Sequence, residues 1–219
     1  MKHLITRTIL VLSLVSLFTD LSSEMLYPIM PLFLQSIGFS TILIGVLEGF
    51  AEAIAGLSKM YFGRLSDDMG RRMPFVRLGY FFSAISKPML AFFTFPLWIF
   101  SARTIDRLGK GLRTGARDAL LSDESTPENK ATVFGFHRAL DTTGAVLGPL
   151  MALVYLQYRP EDYKTLFLIA FIPAILSVLF TFVIKEQQKE LPLSKPAASL
   201  LEKFSYWKAS PTAFRQLMI

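Results

Sequence analysis

The sequence contains no cysteine and only two histidines, His3 and His137. The first absence removes disulfides, thiol nucleophiles and thiolate metal sites; the second leaves too few imidazoles for a histidine-built metal centre. Charge is also scarce, at 18% of the 219 residues, against about 25% in an ordinary soluble domain. There is no Gly-xxxx-Gly-Lys-Ser/Thr loop for a nucleotide phosphate, and no catalytic arrangement stands out. Neither an enzyme nor a cofactor is expected. What dominates is apolar: 52% of the residues are hydrophobic and 20 are Phe, a surplus that calls for lipid. The formal charge of +6 could speak for nucleic acid. The basic residues fall mostly between the apolar segments, however, and no nucleic-acid partner is expected.

Windows of about 19 residues, matched to a hydrocarbon core of roughly 30 Å, pick out six segments. They lie near Ile9–Leu34, Ile42–Phe62, Phe75–Phe95, Leu97–Gly115, Ala131–Leu156 and Leu166–Ile184. Lipid then dictates helix, because unpaired backbone groups are too costly in hydrocarbon and the period-two alternation of barrel strands is missing. The first segment does not read as a secretory signal, since it runs past the length of such a core and contains Asp20 and Glu24. The predicted fold is an all-α membrane protein, a six-transmembrane-helix bundle over residues 1–184. With the N-terminus in the cytoplasm, Lys2, Arg7, Arg64, Arg71, Arg72, Arg113, Arg117, Lys130 and Lys185 gather on that face, and only Arg159 and Lys164 on the other. A cell-membrane location follows, the inner membrane if the source is bacterial.

Residues 185–219 read as a cytoplasmic central linker. Lys185–Lys195 is polar and charged; Leu200, Leu201, Phe204 and Trp207 recur at helical spacing, as in an interfacial amphipathic helix. Ser210 to Ile219 resembles the entry to a seventh helix. A chain that starts another helix here is expected to be the N-terminal half of a carrier of about twelve helices. Its missing partner would then be a C-terminal six-helix half, or a second copy.

The most specific motif joins the second and third segments: Gly63-Arg64-Leu65-Ser66-Asp67-Asp68-Met69-Gly70-Arg71-Arg72. Glycines at 63 and 70 permit close packing and a tight turn, and Asp67 can cap or pair with nearby cations. This loop resembles the signature of the major facilitator superfamily, a Gly, three residues, Asp, two residues, Gly, then Arg with Arg or Lys, and all five positions match. The resemblance implies two six-helix halves, with Asp67 and Arg71 in a cytoplasmic charge relay that holds the halves together in the outward-facing state.

Two further segments carry parts of that family's pattern. In the fourth, Arg103, Arg107 and Lys110 share one helical face with Asp106 beside them; charges at membrane depth normally face a cavity or one another. Arg107 and Gly111 are similar to the family's fourth-helix signature, with Lys110 in place of its Gln. The fifth segment has His137, Arg138 and Asp141, then Gly144, Gly148 and Pro149, which kink the helix and clear one face for a neighbour. It is similar to the fifth-helix signature of the family's antiporters, lacking two later glycines. His137 and Asp141, one turn apart, are either a proton-sensitive pair or a structural one.

Asp20, Glu24 and Tyr27 line one face of the first helix, with Ser13 and Ser16 extending it. Eleven residues beyond Ile9, at about 1.5 Å each, places Asp20 about midway through the hydrocarbon. Glu48 and Glu52 repeat the acidic pair on the second helix, and Lys87, deep in the third, is expected to pair with one of them. The predicted substrate or coupling-ion residues are Asp20, Glu24, Tyr27, Arg103, Asp106, Arg107 and Asp141. Gly63, Asp67, Gly70, Arg71, Arg72, Gly144, Gly148 and Pro149 are the predicted switching residues, and no metal site is expected. The function expected is secondary active transport by alternating access. It is read as proton-coupled with export favoured, moving a small polar, charged or amphiphilic solute across a lipid bilayer. A solute–cation symporter or uniporter, or a non-transporting scaffold or truncated half-carrier, stays open.

Overall fold

The computed structural model describes residues 5–184. All regular structure among them is helical: α1 (Arg7–Leu26), α2 (Met30–Ser36), α3 (Thr41–Met69), α4 (Met73–Phe92), α5 (Pro96–Asp123), α6 (Lys130–Tyr158) and α7 (Tyr163–Thr181). The linker, amphipathic helix and seventh-helix entry expected over 185–219 lie outside the described residues.

Local chemistry explains most of the boundaries. Thr6 caps α1 by accepting from the Ile9 amide at 3.2 Å, and Ser40 caps α3 from Leu43 at 3.3 Å. Proline in the first turn opens α2, α4 and α5, where a missing amide proton costs nothing. Gly70 ends α3 in the left-handed region at φ 61°, which lets α4 restart after three residues.

The predicted segments correspond to these helices with three corrections. The first is broken: α1 stops at Leu26, and Pro28 and Pro31 interrupt its hydrogen-bond ladder before α2 runs on. The second and fourth segments are longer than expected, since α3 continues from Phe62 to Met69 and α5 from Gly115 to Asp123. Hydropathy falls at those points, but the backbone pattern does not. By length and composition, four spans are apolar enough to cross a membrane: Arg7–Ser36, Thr41–Met69, Lys130–Tyr158 and Tyr163–Thr181. Charge sets the other two helices apart, Arg77 and Lys87 on α4 and a row from Arg103 to Arg117 on α5.

The helices form two triads. In one, α1 packs between α6 and α7; in the other, α5 packs between α3 and α4; α4 against α7 is the main seam between them. Buried apolar residues form a cluster at each end. Ile9, Leu12, Val76, Tyr80, Leu121 and Val178 belong to the cluster at the end where α1 begins. Met25, Phe33, Leu47, Ile99, Leu166 and Phe167 belong to the other, where the Phe33 and Phe167 rings meet edge to face at 4.8 Å. Outward faces of α3 and α6 are apolar too: Ile42, Phe50, Leu57, Met60, Leu153 and Val154 are all exposed. Such area is unstable against water and compatible with lipid or a packed partner.

Candidate functional site

Between the triads lies a narrow cleft with a cavity of about 40 Å³. From α1 and the residue that ends it come Asp20, Glu24 and Tyr27; from α4, Ser83, Ser86 and Lys87; from α5, Arg103, Asp106, Arg107, Lys110 and Arg113. Six of the seven residues predicted as substrate or coupling-ion groups therefore border one space. The seventh, Asp141, lies beside it and reaches Asp20.

The α5 charges are ordered by pairing. The Arg103 guanidinium grips Glu48 of α3, with Nε to Oε1 at 3.0 Å and Nη2 to Oε2 at 2.5 Å. Lys87, only 2% exposed, reaches Asp106 at 2.8 Å. Ser86 donates to the same Asp106 oxygen at 3.2 Å, and Arg103 approaches the other at 3.9 Å. This corrects the expected partner of Lys87: the acid is Asp106, and Glu48 and Glu52 are engaged by Arg103 and Arg107. Lys87 and Asp106 sit on adjacent helices of one triad. Arg107 meets Glu52 at 3.2 Å and lies 5.9 Å from the Tyr27 ring centroid. Burying such charges is tolerable because each is matched.

A second polar group runs from α1 to α6 through α5. Arg117 donates to Ser16 at 3.1 Å, pairs with Asp118 at 3.0 Å and lies 3.8 Å from Asp141. His137 does not bond to Asp141; its ring nitrogens face Ser13 at 3.3 Å and Ser16 at 3.5 Å. Arg138 holds the outer oxygen of Asp141 at 3.0 Å, while the inner Oδ1 is buried and receives no hydrogen bond among the described residues. The neighbour of Asp141 across the helix interface is Asp20, within hydrogen-bonding reach. The side chains of Glu24 and Lys110 form no ion pair or hydrogen bond among the described residues, though the Lys110 carbonyl accepts from Thr114.

The sequence reading groups Arg113 and Arg117 with the cations of the cytoplasmic face. Both are buried on α5, Arg113 within the predicted fourth segment and Arg117 on the eight residues by which the helix runs past Gly115. The signal was present in the sequence: Arg103, Arg107, Lys110, Arg113 and Arg117 recur every three or four residues, so a continuing helix keeps them on one face.

The predicted switching residues divide between two places. Asp67 stands on the last turn of α3, not in the loop, and accepts from Arg72 at 2.7 Å; Arg72 also reaches Asp123 of α5 at 2.9 Å. Arg71 lies beside Gly70 in the turn. Gly63 faces Gly115, where a Cβ would come within 3.0 Å of the Gly63 Cα. Gly144 and Gly148 press α6 onto the α1 backbone: a Cβ at Gly148 would lie 2.7 Å from both the Leu21 oxygen and the Met25 nitrogen. Pro149 follows within α6.

The sequence matches the Major Facilitator Superfamily over residues 12–219. It is 33% identical over 183 residues, 84% of this chain and 46% of the other protein, to an uncharacterized MFS-type transporter of Methanocaldococcus jannaschii. It is 25% identical over 171 residues to a multi-drug resistance efflux pump PmrA homolog of Lactococcus lactis, covering 75% of this chain and 41% of that one. The crystal structure of the human organic anion transporter TETRAN superposes with a TM-score of 0.66 at 21% identity, over 84% of this chain and 48% of that chain; the likeness is one of fold. The chain thus spans less than half the length of each of these relatives. Its fold is the N-terminal six-helix half of the family's architecture, and the chain belongs to the major facilitator superfamily.

Proposed function

We propose that the chain forms the N-terminal half of a secondary active transporter that moves a small polar, charged or amphiphilic solute in exchange for protons. Asp20, Glu24, Tyr27, Arg103, Asp106, Arg107 and Asp141 supply the substrate and coupling-ion chemistry. The carrying observation is the contact of two carboxyl groups, Asp20 and Asp141, with the buried Asp141 Oδ1 lacking any donor. Two carboxylates repel at that range, whereas a proton on one of them makes a hydrogen bond to the other. Loss of that proton would send Asp20 towards Arg113 or Arg117, whose charges it feels. That movement couples protonation to the seam between the triads.

The remaining assignments follow. Asp67 and Arg71 act in switching, near the Arg72–Asp123 tie between the α3–α4 turn and α5. Gly144, Gly148 and Pro149 let α6 shift against α1. Export is favoured by the resemblance of the fifth helix to the antiporter pattern and by an efflux pump among the relatives. The basic residues at the α3–α4 turn support a cytoplasmic side for that end of a cell-membrane protein, and the exposed apolar faces of α3 and α6 are where a C-terminal half or lipid would pack.

The test is solute flux into vesicles carrying the full-length protein under an imposed pH gradient. Glu24→Gln should abolish gradient-driven flux while leaving the protein inserted. Flux that runs equally well after the gradient is collapsed would replace exchange with uniport. An inserted protein that moves no solute from a broad panel would support a scaffold instead.

A further inference from the structure

Each deeply buried cation on the facing sides of α4 and α5 has an acid beside it, with one exception. Lys87 has Asp106, Arg103 has Glu48, Arg107 has Glu52 and Arg117 has Asp118. Arg113 is 5% exposed and lines the cleft, yet among the described residues no carboxylate stands within ion-pairing distance. It donates to the Ser83 hydroxyl at 2.7 Å and lies 4.9 Å from the Tyr80 ring centroid; its buried Nε has no acceptor. A hydroxyl and a ring face orient a guanidinium but do not neutralise it. An unmatched charge at this depth costs several kcal/mol. A protein that retains one gains from it when a counter-charge arrives.

Asp20 feels the charge of Arg113 but meets Asp141. Glu24 is also on the cleft, though without contact to Arg113. Lys110, three residues earlier on the same face of α5, is exposed in the cleft with no ion pair. Once the matched pairs are set aside, these two cations are the positive groups an entering solute would meet.

We propose that Arg113 is an anion-binding residue of the cleft and that the solute carries a carboxylate-sized anionic group, held by the Arg113 guanidinium beside Ser83 with Lys110 at the mouth. Two donors of a planar guanidinium match such a group in geometry and charge. The assignment rests on the carrier reading for its role in transport, while binding can be read on its own.

The probes are benzoate and benzylammonium, ions of similar shape and opposite charge, added to the full-length protein in detergent while thermal unfolding is followed. Saturating benzoate should raise the midpoint by about 5 °C, and benzylammonium should not. Without ligand, Arg113→Gln should keep or raise the midpoint, because it removes an unmatched buried charge. It should also weaken benzoate binding about tenfold or more. Arg159→Gln, on an exposed loop, should behave as the parent protein. Equal shifts from both probes in the parent protein would overturn the proposal even if Arg113→Gln failed to fold, as would an unchanged benzoate shift in that variant. A benzoate shift lost with Arg113 in a protein that shows no gradient-driven flux would retain the anion site and count against the carrier.

Discussion

The two triads solve the same problem by different chemistry. In the α3–α4–α5 triad close glycine contacts, Gly79 with Gly109 and Gly63 with Gly115, are reinforced by buried ion pairs, Glu48 to Arg103 and Lys87 to Asp106. In the α1–α6–α7 triad the helices are joined by small residues: Ser13, Ser16, Thr19 and Ser22 line the buried side of α1, and Gly144 and Gly148 let α6 touch its backbone. A paired charge has a direction and a partner, so it holds register firmly. A small-residue seam has neither and permits sliding. The difference suggests that the ion-paired triad is the more rigid body and that movement takes place at α1 and α6, where Asp20 meets Asp141.

That comparison breaks most visibly at Asp106. Replacing it with Asn leaves Lys87 buried without its counter-charge, and the expected loss is about 3–5 kcal/mol in unfolding experiments. Adding Lys87→Met to Asp106→Leu should recover most of it, since an apolar pair of similar size removes both desolvated charges. If Asp106→Asn is as stable as the parent protein, the pair does not hold the triad. Gly148→Val tests the other triad. Its side chain must displace α1 backbone atoms, with an expected cost of about 1–3 kcal/mol and a change in solute flux as the seam opens.

The helical segments were legible in the sequence because lipid leaves the backbone few alternatives, apart from the break at Pro28 and Pro31, and Gly70 marked the turn between α3 and α4. Helix ends were not, because hydropathy reports where apolar side chains stop, while α3 and α5 continue as polar helices past Phe62 and Gly115. The short fourth segment leaves Arg117 outside the helix, while Arg113 lies inside it and is hidden by its grouping with the cytoplasmic cations. The bordering of a common space by Asp20, Glu24, Arg103 and Arg107 followed from helical periodicity. The partner of Lys87 did not, since spacing gives the face of a residue on its own helix and says nothing about which helix packs against it.

Smaller effects sharpen the contrast. The Asp67 side chain is well exposed and Arg72 retains Asp123, so Asp67→Ala should change stability by less than about 1 kcal/mol. It should nevertheless slow turnover with little change in solute affinity, a split that steady-state flux measurements resolve. Smallest is the pH response at the start of α7. Asp162 accepts from the Tyr155 hydroxyl and the Thr165 amide, which hold its carboxyl below the usual range. A depressed carboxyl stabilises fully above its unfolded value of about 3.9 and loses that contribution as pH falls through the lower folded value. Asp162→Asn should therefore flatten this part of the acid unfolding curve and leave neutral-pH behaviour close to that of the parent protein.

The central claim is that Asp20 serves transport and not the architecture, whereas Asp106 also holds the architecture together. The direct measurement is Asp20→Asn in the full-length protein, with the unfolding midpoint and gradient-driven solute flux read from the same preparation. The account predicts a midpoint close to that of the parent protein and loss of gradient-driven flux. Parental flux in Asp20→Asn, or a fall in midpoint as large as that of Asp106→Asn, would contradict it.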